Sequence, residues 1–182
     1  MKGIGTSPGI ALGNILVYKE PEITINKKQI QDIDEEIDRL EKAIKTGMKQ
    51  IEKLYEKTLN NVGKEEAEIF NAHKMMIEDP EFIGDVKETI KSQEVNAEWA
   101  VKNVADKFIK IFENIEDEYL RERALDLKDV SNRLLRILLD IETMDLGSLE
   151  EECIIVAEDL TPSDTAQMNK EMVIGFVTEL GG

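Results

Sequence analysis

Residues 152–178 read ECIIVAEDLTPSDTAQMNKEMVIGFVT, and the fold class turns on how this stretch is parsed. Glu152–Ala157 is a continuous apolar run rich in β-branched residues, the pattern of a buried parallel strand rather than a half-exposed one. Thr161-Pro162-Ser163-Asp164 is a helix start: Thr as N-cap, Pro at the first helical position and Asp three residues past the cap. A short helix to about Asn169 then leads into Met172–Thr178, a second strand of the buried type. The whole is a compact strand–helix–strand unit. It ends on Glu179-Leu180-Gly181-Gly182, and paired glycines directly after a strand mark the place where a functional loop begins. One such unit plus a short N-terminal strand is too little sheet to bury both faces of two apolar strands. The chain therefore reads as cut inside its α/β domain.

Moving outward to the N-terminus, residues 1 to about 20 are extended. Gly3, Gly5, Pro8, Gly9 and Gly13 punctuate short apolar pieces, with strand expected at Ile10–Leu12 and Asn14–Val17. Between these two ends the period changes. From about Gln29 to Leu59, Ile30, Ile33, Ile37, Leu40 and Ile44 step by three and four, and Met48, Ile51, Tyr55 and Leu59 continue with a slight drift, as a straight helix imposes on a heptad-like seam. Gly47 lies inside this helix, permitting either the close approach of a neighbour or a kink. Further helices are expected from about Lys64 to Glu78, Glu81 to Lys91, Ala97 to Ile115 and Glu118 to Ile141. Trp99, Val104, Phe108, Ile111 and Phe112 mark the fourth; Tyr119, Leu120, Ala124, Leu127, Val130, Leu134, Leu135, Leu138 and Ile141 mark the fifth. Long helices with short links make an antiparallel helical bundle. The changes of texture near 21 and 144 divide the chain into 1–20, 21–144 and 145–182. The fold class is α+β and mostly α, with a helical insertion inside an incomplete α/β part.

Composition narrows the function. With 182 residues, 39 acidic side chains against 23 Lys plus Arg and a net charge of −16, the chain lacks the basic stripe that nucleic acid requires. It is equally unsuited to an anionic membrane surface, and a basic protein is its natural electrostatic complement. The apolar stretches are too short to cross a bilayer, and the N-terminus MKGIGTSPGIALGN has no signal-peptide pattern. One Cys and one His exclude an intrachain disulfide and argue against a zinc site of the usual ligands. A reduced, cytoplasmic protein is expected.

Four collinear segments carry a resemblance: GTSPGIALG at 5–13, EEAEIFNAHKMMIEDPEF at 65–82, DEYLRERALDLKDVSNRLLR at 117–136 and VAEDLTPSDTAQMNKEMVIGFVTELGG at 156–182. Together they resemble the Enzyme I family of the bacterial sugar phosphotransferase system, the phosphoenolpyruvate–protein phosphotransferases. The resemblance implies an α/β phosphohistidine subdomain built from both ends of the region. It also implies an inserted helical subdomain that docks HPr, the histidine-containing phosphocarrier. Phosphoenolpyruvate and Mg2+ are implied to bind in a C-terminal barrel domain that is absent here and through which the family dimerises, so no cofactor is expected in this chain. In the family the paired glycines run on as x-Thr-Ser-His, and that histidine accepts the phosphoryl group; this sequence ends at Gly182, so phosphoryl transfer by this piece alone is not expected.

Several residues stand out. His73, the sole histidine, has Ile69, Phe70, Met76 and Ile77 at helical spacing, which reads as a packed side chain and not a phosphoacceptor. On the opposite side of that helix Glu65, Glu68, Ala72, Met75 and Asp79 form one stripe. An acidic stripe is commonly a solvated face, yet a Met framed by carboxylates with no core to join also suits docking of a basic, mildly apolar partner. The resemblance favours HPr docking there and extends it to Phe82 and Arg123, with Phe112 divided between docking and core. Thr165, early in the helix that begins at Pro162, matches a family threonine that hydrogen-bonds the phosphoacceptor imidazole. Cys153 reads as a small core hydrophobe. Two rival readings remain: a swivelling phosphohistidine domain of a phosphoenolpyruvate synthase or pyruvate phosphate dikinase, and a non-enzymatic helical adaptor with an acidic face.

Overall fold

A computed structural model describes residues 3–180, with the side chains of residues 118–120 and 122 outside the described set. The apolar marks expected at Tyr119 and Leu120 and the Gly181-Gly182 pair lie outside the described residues. The chain divides into two compact units, one spanning Pro21–Glu142 and the other assembled from the chain up to Glu20 and from Thr143 onward.

The first unit holds five helices: α1 (Ile33–Asn61), α2 (Lys64–Ile77), α3 (Pro80–Gln93), α4 (Ala97–Glu113) and α5 (Glu118–Leu138). Helix α1 starts four residues later than the periodicity suggests. The Asp32 side chain caps it by accepting from the Glu35 N–H at 3.0 Å. The residues just before it are pinned elsewhere: the Ile30 N–H donates to the Glu94 carbonyl, and Gln29 bridges to Val95. Asn96 completes the strap, its side-chain oxygen accepting from the Lys28 N–H at 2.8 Å and its amide donating to the Asn26 carbonyl and to Glu98. Glu36 accepts from the Ala97 N–H at the start of α4, and Arg39 pairs with both Glu36 and Glu98. A buried helix start is thus supplied with acceptors by a neighbouring helix rather than by its own cap.

The buried line of α1 runs Leu40, Ala43, Gly47, Ile51, Leu54 and Thr58. The expected seam supplies Leu40 and Ile51 to that line, while Ile33, Ile37, Ile44, Met48 and Tyr55 are half-buried flanks and Leu59 is exposed. Reading bulk alone misplaces the centre of this face, because small residues occupy it and let neighbours come close. Gly47 resolves accordingly as close approach. A Cβ there would stand 2.6 Å from Ile77 Cδ1 and 3.5 Å from Ile137 Cδ1, and α1 continues through it unbroken. Gly47→Leu is expected to overpack this crossing and destabilise the helical unit by about 1–3 kcal/mol, read as a lower urea midpoint in far-ultraviolet circular dichroism. The same lesson holds for α4, whose buried face is Ala97, Ala100, Val101, Val104 and Ala105. Trp99, Phe108 and Phe112 are half-buried and Ile111 is exposed. On the surface between α3 and α1, the Lys87 ammonium donates to Glu41 and holds that carboxyl below its ordinary range.

The second unit is a parallel sheet of β1 (Asn14–Val17), β2 (Cys153–Ala157) and β3 (Val173–Thr178) in the order β1-β2-β3, with α6 (Pro162–Gln167) between β2 and β3. The strand expected at Ile10–Leu12 does not form. Ile10 is 97% exposed, and a short apolar piece with no pairing strand gains nothing from the extended form. One face of the sheet packs Tyr18, Leu146, Cys153, Ile155, Ala157 and Met168 into a core. On the other face, register aligns Val17, Val156 and Val177 in one row, with Val17 and Val177 exposed.

Helix α6 starts with a full capping box. Thr161 and Asp164 each accept from the other's backbone N–H, and the buried Tyr18 hydroxyl donates to Asp164 Oδ1 at 2.7 Å. That bond ties residues 146 positions apart, so it closes the sheet around its N-terminal strand. Tyr18→Phe should cost this unit about 1.5–3 kcal/mol, the range for a bond to a charged acceptor. The single thiol, Cys153, is buried in β2 and reports the loss directly. Faster labelling by a thiol reagent is the expected result, and an unchanged rate would contradict it.

Candidate docking site

The site grows out of a helical hairpin. After α1 the chain turns at Gly63, which has φ +156°, and whose N–H donates to the Thr58 carbonyl. Helix α2 then buries Ala67, Phe70, His73 and Ile77. Because those positions step by three and four, the opposite face must look outward. Glu65 and Glu68 are exposed there, and Ala72 is half-buried. Met75 is 77% exposed. Glu68 accepts from the Asn71 side-chain amide at 2.9 Å, and Lys74 pairs with Glu52 of α1 at the flank. A large apolar side chain thus stands in solvent among carboxylates, a costly arrangement for a face with no partner.

Asp79 and Phe82 depart from the stripe. Asp79 lies past the end of α2 and serves as N-cap of α3, accepting from the Glu81 and Phe82 N–H groups at 3.0 and 2.8 Å; it is half-buried. Phe82 is 2% exposed and meets Phe108 edge-on at 5.9 Å. With Pro80 opening α3, position 82 falls on the same face as Val86 and Ile90, all buried. Phe82 is therefore a core side chain of the bundle and does not belong to the docking surface in this conformation. Phe112 is half-buried.

Arg123 comes from α5. Its Nη1 donates to Asp126 Oδ2 at 3.0 Å, and its side chain is partly exposed. Asp126 also lies 3.4 Å from His73 Nε2, so the bundle brings Arg123 alongside the helix that carries Met75. His73 is 1% exposed, edge-on to Phe70. Leu125, absent from the apolar marks expected on α5, is exposed. It is out of phase with the buried line Ala124, Leu127, Val130 and Leu134, and that phase error was the available signal.

Thr165 belongs to the other unit. It is exposed, and its hydroxyl donates to the Pro162 and Thr161 carbonyls at 3.0 and 3.3 Å. That spends its proton on local backbone and leaves the oxygen lone pairs as acceptors. Among the described residues, no group of three or more His, Cys, Asp or Glu is arranged to hold a metal ion, and no helix is long and apolar enough to cross a membrane.

Comparison with known proteins gives a consistent answer. Residues 2–123 match the family described as PEP-utilising enzyme, N-terminal, and residues 149–182 match the PEP-utilising enzyme mobile domain. The chain is 44% identical over its whole length to a phosphoenolpyruvate-protein phosphotransferase of Bacillus subtilis (strain 168), and 43% identical to one of Mycoplasma capricolum subsp. capricolum; in each case it spans 32% of the relative's length. Among solved structures, an NMR structure of Enzyme I aligns with 97% of this chain and 72% of its own, at a TM-score of 0.86 and 47% identity. The N-terminal domain of a nitrogen Enzyme 1 aligns with 96% of the chain and 72% of its own, at 0.69 and 26%. With family matches at both ends and a shared fold along its length, the chain belongs to the PEP-utilising enzymes and falls with the N-terminal region of their Enzyme I members.

Proposed function

We propose that this chain is the partner-docking part of a phosphoenolpyruvate–protein phosphotransferase and that its helical unit binds HPr. The intact protein would take a phosphoryl group from phosphoenolpyruvate onto a histidine and pass it to HPr in the course of sugar uptake in the cytoplasm. The observation that carries the reading is the outer face of α2: Glu65, Glu68 and Ala72 lead to a Met75 that is 77% exposed. An apolar anchor ringed by carboxylates complements a basic protein surface with a small apolar centre. Asp79 and Arg123 would lie at its rim. Phosphoryl transfer between two histidines needs little covalent help from the protein and a great deal of positioning, so a dedicated docking unit suits the chemistry. Mg2+ and phosphoenolpyruvate would be handled by the rest of the protein, which would also supply the dimer contacts.

Titration with HPr, followed by heteronuclear NMR at low and moderate salt, tests the reading. Shift changes should cluster on Glu68, Met75, Asp79 and Arg123 and weaken as salt screens the charges. No binding by the folded chain would overturn docking and favour the swivelling-domain or adaptor alternatives. For Thr165, the free lone pairs of its hydroxyl support a role in orienting the phosphoacceptor imidazole. Thr165→Val in the longer protein should slow transfer while leaving HPr affinity unchanged, and an unaltered transfer rate would remove that role.

A further inference from the structure

One buried titratable side chain has no part in the function proposed above. His73 sits on the inner face of α2, 1% exposed, with its ring edge-on to Phe70 at 5.6 Å. Its Nε2 lies 3.4 Å from Asp126 Oδ1. Its Nδ1 makes no hydrogen bond and is 4.0 Å from Asp129 Oδ2. The tautomer with its proton on Nε2 is the one that can donate to Asp126. The other oxygen of the same carboxylate, Oδ2, accepts from Arg123 Nη1 at 3.0 Å. A single carboxylate therefore bridges a buried imidazole on one helix and a partly exposed guanidinium on another.

We propose that His73 and Asp126 are positioning residues that hold Arg123 in its docking geometry; this rests on the HPr-docking reading. An Arg–Asp pair three residues apart on a helix surface does little by itself, because both side chains keep sampling other rotamers and water competes for the charges. His73 changes that. It is locked by burial and by the Phe70 ring, and it approaches Asp126 from a different helix, so the carboxylate is held at both oxygens. Arg123 is then oriented before any partner arrives. A long side chain ordered in advance loses less freedom on binding, and its planar donor face is presented in one direction to an acceptor on the partner.

The arrangement also gives the only histidine a role on the inner face of the docking helix. A leucine of similar size would fill the space but would leave Oδ1 of Asp126 without its donor.

The test compares HPr titrations of the unaltered chain, His73→Leu, His73→Gln, Arg123→Ala and the His73→Leu/Arg123→Ala double variant. Urea denaturation of each confirms that the helical unit is intact. Arg123 Nε–H relaxation in the free protein gives a readout that needs no partner. His73→Leu should weaken HPr about two- to tenfold, the scale of ordering one rotamer-rich side chain, and should lower Arg123 order in the free state. His73→Gln, which keeps a donor near Nε2, should restore both. In the Arg123→Ala background His73→Leu should produce no additional loss, since its only route to the partner is gone. Equal losses in both backgrounds, or unchanged Arg123 order, would overturn the proposal. Should His73→Leu fail to fold, Asp126→Ala serves in its place with the same expectations. If the unaltered chain does not bind HPr, the docking reading falls by itself, and the relaxation data still decide whether His73 and Asp126 order Arg123.

Discussion

A chain carrying Met75→Asp is expected to bind HPr at least about tenfold more weakly than the unaltered chain while keeping its fold. Met75 stands in solvent on the outer face of α2, so the substitution removes no core contact, and exposed replacements of this kind change stability by only about 0.5 kcal/mol. What it removes is the apolar centre of the face. Interface energy concentrates in a few desolvated anchors, each costing about 2 kcal/mol or more when lost. The new carboxylate adds to this by joining a face that already carries Glu65 and Glu68, where it would have to be buried against the partner without a dedicated cation. Glu65→Gln, at the edge of the stripe, should behave differently. It should alter the salt dependence and leave affinity at moderate salt nearly unchanged. Isothermal titration calorimetry of both variants at two salt concentrations separates the roles. Full-strength binding by Met75→Asp would place the interface on another face of the bundle.

The second large effect is on stability. Phe70→Ala should destabilise the helical unit by about 3–5 kcal/mol, the range for losing a buried aromatic. That is a large part of the 5–15 kcal/mol or so available to an ordinary domain. Phe70 is among the largest fully buried side chains, between Ala67 and His73 on the inner face of α2. Its ring is also the wall against which the His73 imidazole rests. Urea denaturation followed by circular dichroism at a helical wavelength should show an earlier midpoint. Phe176→Ala is the matched control, because Phe176 is largely exposed on β3 in the other unit and its loss leaves the helical midpoint in place. A cost below about 1 kcal/mol for Phe70→Ala would mean the bundle collapses around the gap far better than close-packed interiors do.

The parts of the fold that were legible share one property: their signal is local. The Thr161–Asp164 capping box and the β-branched run of β2 are written in four or five consecutive residues, and the structure forms each where those residues stand. The errors share the opposite property. Ile30 fits the helical period, yet its N–H is taken by Glu94, 64 positions away in the chain. The resemblance extends docking to Phe82, yet α3 rotates it onto Phe108. The buried line of α1 includes Ala43 and Gly47, which carry no hydrophobic bulk to mark them, and Gly47 sits where Ile77 and Ile137 come closest.

The docking stripe divides along the same line. That α2 has an acidic outer face with one Met in it follows from helical periodicity, since spacing alone separates Glu65, Glu68, Ala72 and Met75 from Phe70, His73 and Ile77. The sequence by itself thus determined the five helices and the three strands that form, the acidity, and the acidic outer face of α2. Only the tertiary structure decided that Asp79 is spent as a cap, that Phe82 is core, that Leu125 is exposed, and that Asp126 joins His73 to Arg123. Those outcomes depend on which helices lie side by side, and no local pattern encodes a contact between side chains 50 residues apart; packing chooses it, because the bundle settles where small residues allow the closest approach.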